Sequence, residues 1–372
     1  MKKKVIISVT NDLTTDQRVD RMCTTLTNMG FEVLLTGREL KASKPLQSRA
    51  YQTKRMRLIF TKGPLFYAEY NKRIFLFLLF SKADLQVSND LDSLPGNYLA
   101  ALLRRRPLVH DNHEYFRGVP ELNGRGFTQK VWKAFEDFIF PKLKTVLAVN
   151  GSIAALYNKE YGNEIHVIRN VPFSKQKVSH ITKTSLGIPE EKKVILYQGA
   201  VNVDRGLEEA ILAMKFIKSN ALLLIVGTGD VFNSLQSFVT EHNLQNKVFF
   251  TGQIPLERLH GYTMLADIGL SIEKDVSINY HYCLPNKFMD YIQARVPVLV
   301  SPLPEMKAIV EKYDIGGFIT SHEPVQLADD FDRMLSNPEN IRFYRKNLEK
   351  AAADLCWENE EKELIRIFEP YA

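Results

Sequence analysis

Two doubly wound, Rossmann-like α/β domains facing a central cleft are what this sequence predicts, and three observations carry that expectation. At 372 residues the chain exceeds a single ordinary core. Short apolar runs alternate with helical segments, the grammar of parallel βαβ units, and the alternation starts at Val5 and again at Lys193. A polar run from Ser174 to Ser185 separates the two series and places the boundary. The expected domains are 1–172 and 173–350, with a helical tail over 351–372 that packs back on the first domain. Hydrophobic residues at 45% and charged residues at 25% are globular values, so composition makes no case for disorder.

Val5 to Val9 reads as the first strand. The basic Met1-Lys2-Lys3-Lys4 before it has the start of a signal peptide, but the apolar run is short and meets polar Thr10-Asn11-Asp12 without a small-residue cleavage site. A helix is expected from Asp16 to Met29, with Val19, Met22, Cys23 and Leu26 on one face and Gly30 closing it, before the strand Phe31 to Leu35. The loop Thr10 to Thr15 then falls at the carboxyl end of the first strand, where open α/β sheets bind ligands. It offers Asn11 and Asp12 on the acceptor side. Arg18, in the first helical turn, is a candidate phosphate contact whose simpler reading is a solvated surface charge. No G-x-G-x-x-G occurs there, which argues against a dinucleotide site of that type.

Further along, Leu58 to Phe60 reads as strand, Tyr67 to Ser81 as helix and Leu85 to Ser88 as strand. Asn89 to Pro95 reads as a loop feeding a helix from Gly96 to Leu103. The strand Pro107 to His110 runs into Asp111-Asn112-His113-Glu114, placing His113 and Glu114 at another carboxyl end. Gly118 to Gly126, rich in Gly and Pro, reads as an acceptor-side lid. A helix from Gln129 to Phe140, the strand Thr145 to Val149, a helix capped by Ser152 and running to Tyr161, and Ile165 to Ile168 complete the first domain.

The second series opens with the strand Lys193 to Gln198, ending in Gly199, and a helix from Gly206 to Phe216. Arg205 stands in the turn between them, and its guanidinium has the fork geometry to grip a diphosphate. The strand Ala221 to Val226 ends in Gly227-Thr228-Gly229. A helix Val231 to His242, a strand Lys247 to Thr251, a helix Leu256 to Ala266 and a strand Ile268 to Ser271 follow. The stretch Tyr282 to Val298 then reads as loop, helix and strand. Asn286, after Pro285, is expected to cap the helix, whose positive N-terminal end suits a phosphate. Lys287 adds a charge beside it, and Asp290, one turn on, is placed to reach vicinal hydroxyls. Phe288, Tyr291 and Ile292 form the stripe that buries the helix.

Charge divides unevenly: residues 1–170 hold 27 Lys and Arg against 16 Asp and Glu (+11), and the rest hold 22 against 27 (−5). A basic first half draws an anionic partner such as membrane lipid, a phosphorylated acceptor or nucleic acid; no nucleic-acid-binding motif accompanies the charge, so nucleic acid is not expected. Lys72, Arg73 and Arg104-Arg105-Arg106 are the expected membrane-surface charges, while Ile74 to Phe80 reads as part of a buried helix, far short of the roughly 20 residues that span a bilayer. The three cysteines, Cys23, Cys283 and Cys356, are widely spaced and make no metal-ligand pattern. A cytoplasmic protein, peripheral on the inner face of the membrane, is the expectation.

These residues resemble the family 4 retaining glycosyltransferases, which have the two-domain GT-B fold and use nucleotide-sugar donors. The resemblance covers the whole chain and is more specific in the second half. Gly199 and Arg205-Gly206 keep the spacing of the family's Gly and Lys-Gly, with Arg for Lys and Ala200 where an Arg is usual. Asp290 stands at the second of the family's paired Glu positions, which implies a contact to the donor's ribose, and Tyr282 stands at the first. Arg295-Val296-Pro297-Val298 replaces a Gly-x-Pro-Val. Pro285-Asn286-Lys287 looks like a variant of surface-polysaccharide transferases in this family, and His113-Glu114 resembles its active-site His. The resemblance implies a nucleotide sugar held at Gly199, Arg205, Gly227, Gly229, Asn286, Lys287 and Asp290, with His113, Arg205 and Lys287 as catalytic residues and no metal or other cofactor. It implies a glycan or lipid-linked acceptor. A sugar-nucleotide epimerase of the same architecture and a catalytically inactive nucleotide-sugar-binding subunit are the alternatives.

Overall fold

The computed structural model describes residues 2–14, 16–41, 43–118, 126–175 and 180–372. The chain forms two compact units, Met1–Asn170 with Glu360–Ala372, and Val171–Asn359. In the first, the elements are β1 (Lys4–Ser8), α1 (Gln17–Asn28), β2 (Glu32–Glu39), β3 (Gln52–Arg57), α2 (Gly63–Phe80), β4 (Leu85–Asn89), α3 (Asp90–Arg104), β5 (Leu108–Asn112), α4 (Gly126–Ile139), β6 (Thr145–Ala148), α5 (Gly151–Tyr161) and β7 (Ile165–Val167). The strands form one sheet in the order β3-β2-β1-β4-β5-β6-β7, parallel throughout. The order reverses between β1 and β4, the switch point at which such sheets bind ligands beyond their carboxyl ends.

The second unit contains β8 (Lys193–Gln198), α6 (Leu207–Ala213), β9 (Ala221–Val226), α7 (Phe232–Glu241), β10 (Val248–Gly252), α8 (Leu256–Thr263), β11 (Ile268–Ser271), α9 (Ile278–His281), α10 (Asn286–Gln293), β12 (Val298–Val300), α11 (Pro304–Tyr313), β13 (Gly316–Phe318), α12 (Pro324–Leu335) and α13 (Pro338–Asp354). Its sheet, β10-β9-β8-β11-β12-β13, is also parallel, with the switch between β8 and β11. Both faces are covered. Val194 and Leu196 join one apolar cluster while Ile195 and Tyr197 join the other, so β8 is buried at every position after Lys193. A last helix, α14 (Trp357–Phe368), carries the chain out of this unit.

Several expected elements differ for identifiable reasons. β3 lies at Gln52–Arg57 and not at Leu58 to Phe60: it is an edge strand with polar sequence QTKRMR, which carries no apolar signal. Ile59 and Phe60 instead offer their N–H groups to the Glu69 carboxylate. Asn150, not Ser152, caps α5, accepting from the Ile153 N–H at 2.9 Å. The expected lid falls mainly on 119–125, outside the described residues. Ala351, Ala352 and Leu355 lie in the second unit's core, so the segment that belongs to the first unit begins at Glu360 and not at 351. That segment is anchored by Glu360 to Arg169, by Glu361 to Thr25 and by Tyr371 to Thr145.

α3 is the largest departure, because it begins at Asp90 and runs through Pro95. A proline inside a helix leaves a carbonyl without its donor. The carbonyl concerned is that of Leu91; at the next step of the ladder Asn71 of α2 bridges the helix, its amide donating to the Asp92 carbonyl at 2.8 Å and its side-chain oxygen accepting from the Gly96 N–H at 2.8 Å. Gly96 is what lets the helices come so near, since a Cβ there would stand 2.6 Å from the Asn71 carbonyl oxygen and 2.7 Å from Ile74 Cγ2. Gly96→Ala is therefore expected to destabilise the protein by about 1–3 kcal/mol, the usual cost of overpacking. A urea-unfolding midpoint equal to the wild type would contradict this account of the α2–α3 contact.

Candidate functional site

Each unit gathers ionisable groups at the carboxyl ends of its strands. In the second, β11 ends at Ser271 and two residues later Glu273 is fully buried. Its Oε1 accepts from Arg205 at 3.3 Å and from Lys287 in a closer pair, while its Oε2 accepts from Ser271 Oγ at 2.9 Å. Arg205 reaches it from the turn between β8 and α6. That turn is pressed onto the end of β11: Gly206 has φ +73, and a Cβ there would lie 2.5 Å from the Ile272 carbonyl oxygen. The Arg205 guanidinium stacks 4.9 Å from the Tyr280 ring centroid, and the Lys287 ammonium lies 4.4 Å from that of Tyr197.

Burial opposes charge on all three groups, and their mutual attraction outweighs it. Glu273 is held below the ordinary carboxylate range by Lys287 and Arg205, and both cations titrate above their usual values because of Glu273. Two cations against one carboxylate leave the cluster at +1. The sequence places Arg205 and Lys287 as contacts to a ligand; the structure adds Glu273, which both cations face. The available signal was an acidic residue just past an apolar strand.

α10 holds the rest of this site. Its N-cap is Pro285 and not Asn286, which is the first helical residue with an exposed side chain; no side chain caps the helix. Tyr291 docks it by donating toward the Leu196 and Leu270 carbonyls and accepting from the Gln198 N–H. Gly269 makes room for that ring, its hypothetical Cβ falling 2.5 Å from Tyr291 Cγ. Asp290, partly exposed, accepts from Gln198 Nε2 at 3.0 Å, and Gln198 in turn accepts from Thr263 at 2.7 Å. Gly199 leaves open space where a Cβ would stand. Gly227 and Gly229 are close-approach positions within the protein: a Cβ would lie 2.0 Å from the Gly199 carbonyl oxygen and 2.3 Å from the Val201 carbonyl oxygen respectively. Arg295 takes φ 61, the left-handed backbone that favours glycine.

In the first unit, His113 follows β5 and is enclosed by acceptors. Its Nε2 lies 3.1 Å from Asn89 Oδ1 and 3.2 Å from Asp111 Oδ2, its Nδ1 lies 3.5 Å from Asp90 Oδ2, and its backbone N–H donates to Asp90 Oδ1 at 2.8 Å. Burial disfavours the imidazolium, but Asp90 and Asp111 prevail and push His113 up to about 10. Asp111 is held in turn by Arg18, whose Nε and Nη2 donate to its two oxygens at 2.9 and 2.6 Å while Nη1 donates to the Ile168 carbonyl. Arg18 is thus buried and engaged within the protein, neither solvated nor open to a phosphate. Asp92, with Thr10 donating to it, is pushed up to about 7 by burial and by Asp90.

The other acceptor-side candidates divide. Asp12 pairs with Arg55 at 2.8 Å and accepts from Ser43, which ties a loop together; Asn11 is exposed and donates to Asp16 at 3.3 Å. Glu114 is partly exposed beside His113. Sequence reading missed Asp90, because Pro95 hid the helix start, and missed the role of Asp111 because a carboxylate within a strand gives no sign of its partner.

Each of the two parallel-sheet units carries such a cluster at the carboxyl ends of its strands, and comparison with known proteins makes the class explicit. Residues 179–354 match the model of "Glycosyl transferases group 1" and residues 16–171 that of "Glycosyltransferase Family 4". The chain belongs to the family 4 glycosyltransferases and has the GT-B fold. An uncharacterized glycosyltransferase of Methanocaldococcus jannaschii is 26% identical over 192 residues, which are 50% of this chain and 47% of that protein, so the match spans about half of the relative's length. Among solved structures, sucrose-phosphate synthase from Thermosynechococcus elongatus aligns with a TM-score of 0.80 at 18% identity, over 99% of both chains. Anabaena HepE in complex with UDP aligns with a TM-score of 0.76 at 13% identity, over 99% of this chain and 100% of that one.

A protonated His113 has a testable pH signature. Its folded pKa lies above the unfolded value of 6.5, so its contribution to stability is complete below about pH 6.5 and is lost as pH rises through about 10. NMR of the imidazole is expected to show His113 still charged at about pH 8, with Asp90→Asn lowering its midpoint toward the unperturbed value. Titration of the wild-type ring near 6.5 would contradict the geometry described.

Proposed function

We propose that this chain is a retaining glycosyltransferase that moves a sugar from a nucleotide diphosphate donor to a glycan or lipid-linked acceptor, in surface-polysaccharide synthesis at the inner face of the membrane. The observation that carries the reading is the Arg205–Glu273–Lys287 cluster: a buried lysine and a partly buried arginine share one oxygen of a buried carboxylate beside the β8/β11 switch point. An excess positive charge in a desolvated place suits a leaving diphosphate, because preorganised charge there stabilises what develops in the transition state. Glu273 holds both cations in position and keeps them charged without a ligand. The uncapped start of α10 adds N–H groups near Lys287. The UDP bound by the similarly folded HepE supports a nucleoside diphosphate as the ligand class.

Asp290 is the proposed ribose partner, its partly exposed carboxylate steadied by Gln198. His113, as an imidazolium, positions a hydroxyl of the donor sugar or acceptor by donating a hydrogen bond. It is a poor base in that state, which accords with the leaving phosphate taking the acceptor's proton. The charge needed by the leaving group is supplied in this reading by Arg205, Lys287 and backbone N–H groups, without a metal.

A thermal-shift screen of nucleotide sugars tests donor binding, since a ligand that binds only the folded state raises its stability. Asp290→Ala is expected to weaken binding of the selected donor by about 1.5–3 kcal/mol, the range for a charge-assisted hydrogen bond. Unchanged affinity in a folded variant removes Asp290 from the site. Sugar transfer is also expected to persist in EDTA; activity lost there and restored by Mg or Mn would sink the proposed charge stabilisation. Donor binding with neither transfer nor hydrolysis would mark an inactive binding subunit, and product formation without acceptor an epimerase.

A further inference from the structure

We propose that the outward face of α4 and the adjoining end of α3 form a docking surface for an anionic lipid bilayer, an inference that rests on the reading of membrane-side synthesis and locates the surface responsible. The inward face of α4 is fully accounted for. Trp132, Glu136 and Ile139 are buried, the Trp132 ring meeting Tyr67 and Phe116 at 5.1 Å and the Glu136 carboxylate pairing with Arg117. Yet the opposite face is also apolar. Phe127, Val131, Phe135 and Phe138 are 82%, 38%, 43% and 61% exposed. At 3.6 residues per turn these four positions fall within roughly 80° of the helix circumference, a single stripe along its length.

The stripe does not end with α4. Tyr98 of α3 meets the Phe138 ring edge-on at 6.3 Å, and beside it Leu99, Leu102 and Leu103 are about half exposed or more. Scattered exposed apolar side chains are ordinary, but a contiguous series on two neighbouring helices marks a contact surface. Its rim is basic: Lys130 lies on the edge of α4, the Lys142 ammonium stands 3.1 Å from the Phe138 ring centroid, and exposed Arg104, Arg105 and Arg106 close α3. Of the acids near it, Asp137 is taken by Lys133 and Tyr161, and Asp84 pairs with Arg106 at 3.5 Å.

Apolar residues bordered by cations match a bilayer interface, where acyl chains receive the stripe and anionic headgroups the rim. A nucleic acid would use the cations and stack on the rings but has nothing for Leu99, Leu102, Leu103 and Val131. A second copy of the chain meeting this patch with its own would bring the arginines together. The direction of the helix also suits a lipid-linked acceptor: α4 follows β5 in a parallel sheet, so it starts at the end of the sheet that carries His113.

The test uses the full chain with vesicles of phosphatidylcholine alone or with about a quarter phosphatidylglycerol, an anionic surface. Binding is expected to the anionic vesicles and to fall with salt. The triple change Phe127→Ser, Phe135→Ser, Phe138→Ser is expected to weaken it by at least about tenfold. Arg104→Glu, Arg105→Glu and Arg106→Glu together should weaken it on the order of 100-fold. Phe135→Trp should add blue-shifted emission that brominated lipid quenches. Unfolding midpoints and thermal shifts by the selected nucleotide sugar serve as controls for folding, and both are expected to match the wild type. No binding to either vesicle, wild-type binding by the serine triple, added emission from Phe135→Trp that brominated lipid leaves unquenched, or a dimer that the serine triple abolishes would each overturn the proposal, as would capture of single-stranded RNA in place of vesicles. Vesicle binding by a chain that binds no nucleotide sugar would uphold the surface and defeat the proposed donor chemistry; donor binding without vesicle binding would do the reverse.

Discussion

A buried carboxylate that must be shared by more than one cationic or donating group organises both halves of this molecule. Asp111 on β5 and Glu273 just past β11 are each inaccessible to solvent, and an unpaired charge there would be severely destabilising. Asp111 is matched by the fork of Arg18 and by His113, Glu273 by Arg205, Lys287 and Ser271. Because these partners come from separate helices and turns, the two carboxylates fix the places of α1, α6 and α10 relative to their sheets. The same pairings decide protonation: His113 is charged because two carboxylates outweigh its burial, and Lys287 stays charged because Glu273 is beside it.

The two sheets reach this arrangement by the same route. Parallel strands buried on both faces leave their carboxyl ends as the places where polar side chains can gather, and the reversal of strand order opens space there. In the second unit the space is kept by close contact and not by loose loops, with Gly206 against Ile272 and Gly269 against Tyr291. In the first, α3 begins inside the cluster with Asp90 at its start and runs through Pro95, with Asn71 bridging Asp92 and Gly96 beside the proline.

Family membership accounts for the architecture, while this chain's own substitutions shape its site. Arg295, where the family's pattern has glycine, still adopts the left-handed backbone, so the turn from α10 to β12 is kept by packing at a conformational cost. Lys287 and Glu273 form a pair that motif spacing alone did not connect. α4 adds a feature outside the sheet chemistry, a helix apolar on both its inward and its outward face.

Much of this was determined by the sequence alone. The apolar run Ala221 to Val226 reads as a strand buried on both faces, Phe288, Tyr291 and Ile292 as the docking stripe of a helix, and the restart after the polar run as a second sheet, and the structure has all three. Arg205, Lys287, Asp290 and His113 are legible as candidates because they fall at the carboxyl ends of strands or in the first turns of the helices that follow, where open α/β sheets bind ligands. The sequence could not show which of them face a ligand and which face one another. Arg18 looked like a surface charge until the fold placed Asp111, 93 residues away, against its guanidinium. Glu273 and Lys287, 14 residues apart, became a pair only when β11 and α10 were packed together. Pro95 reads as the end of a loop because the Asn71 contacts beside it come from another helix. Local propensity and periodicity act over a few residues, whereas the partner of a buried charge is chosen by the tertiary structure.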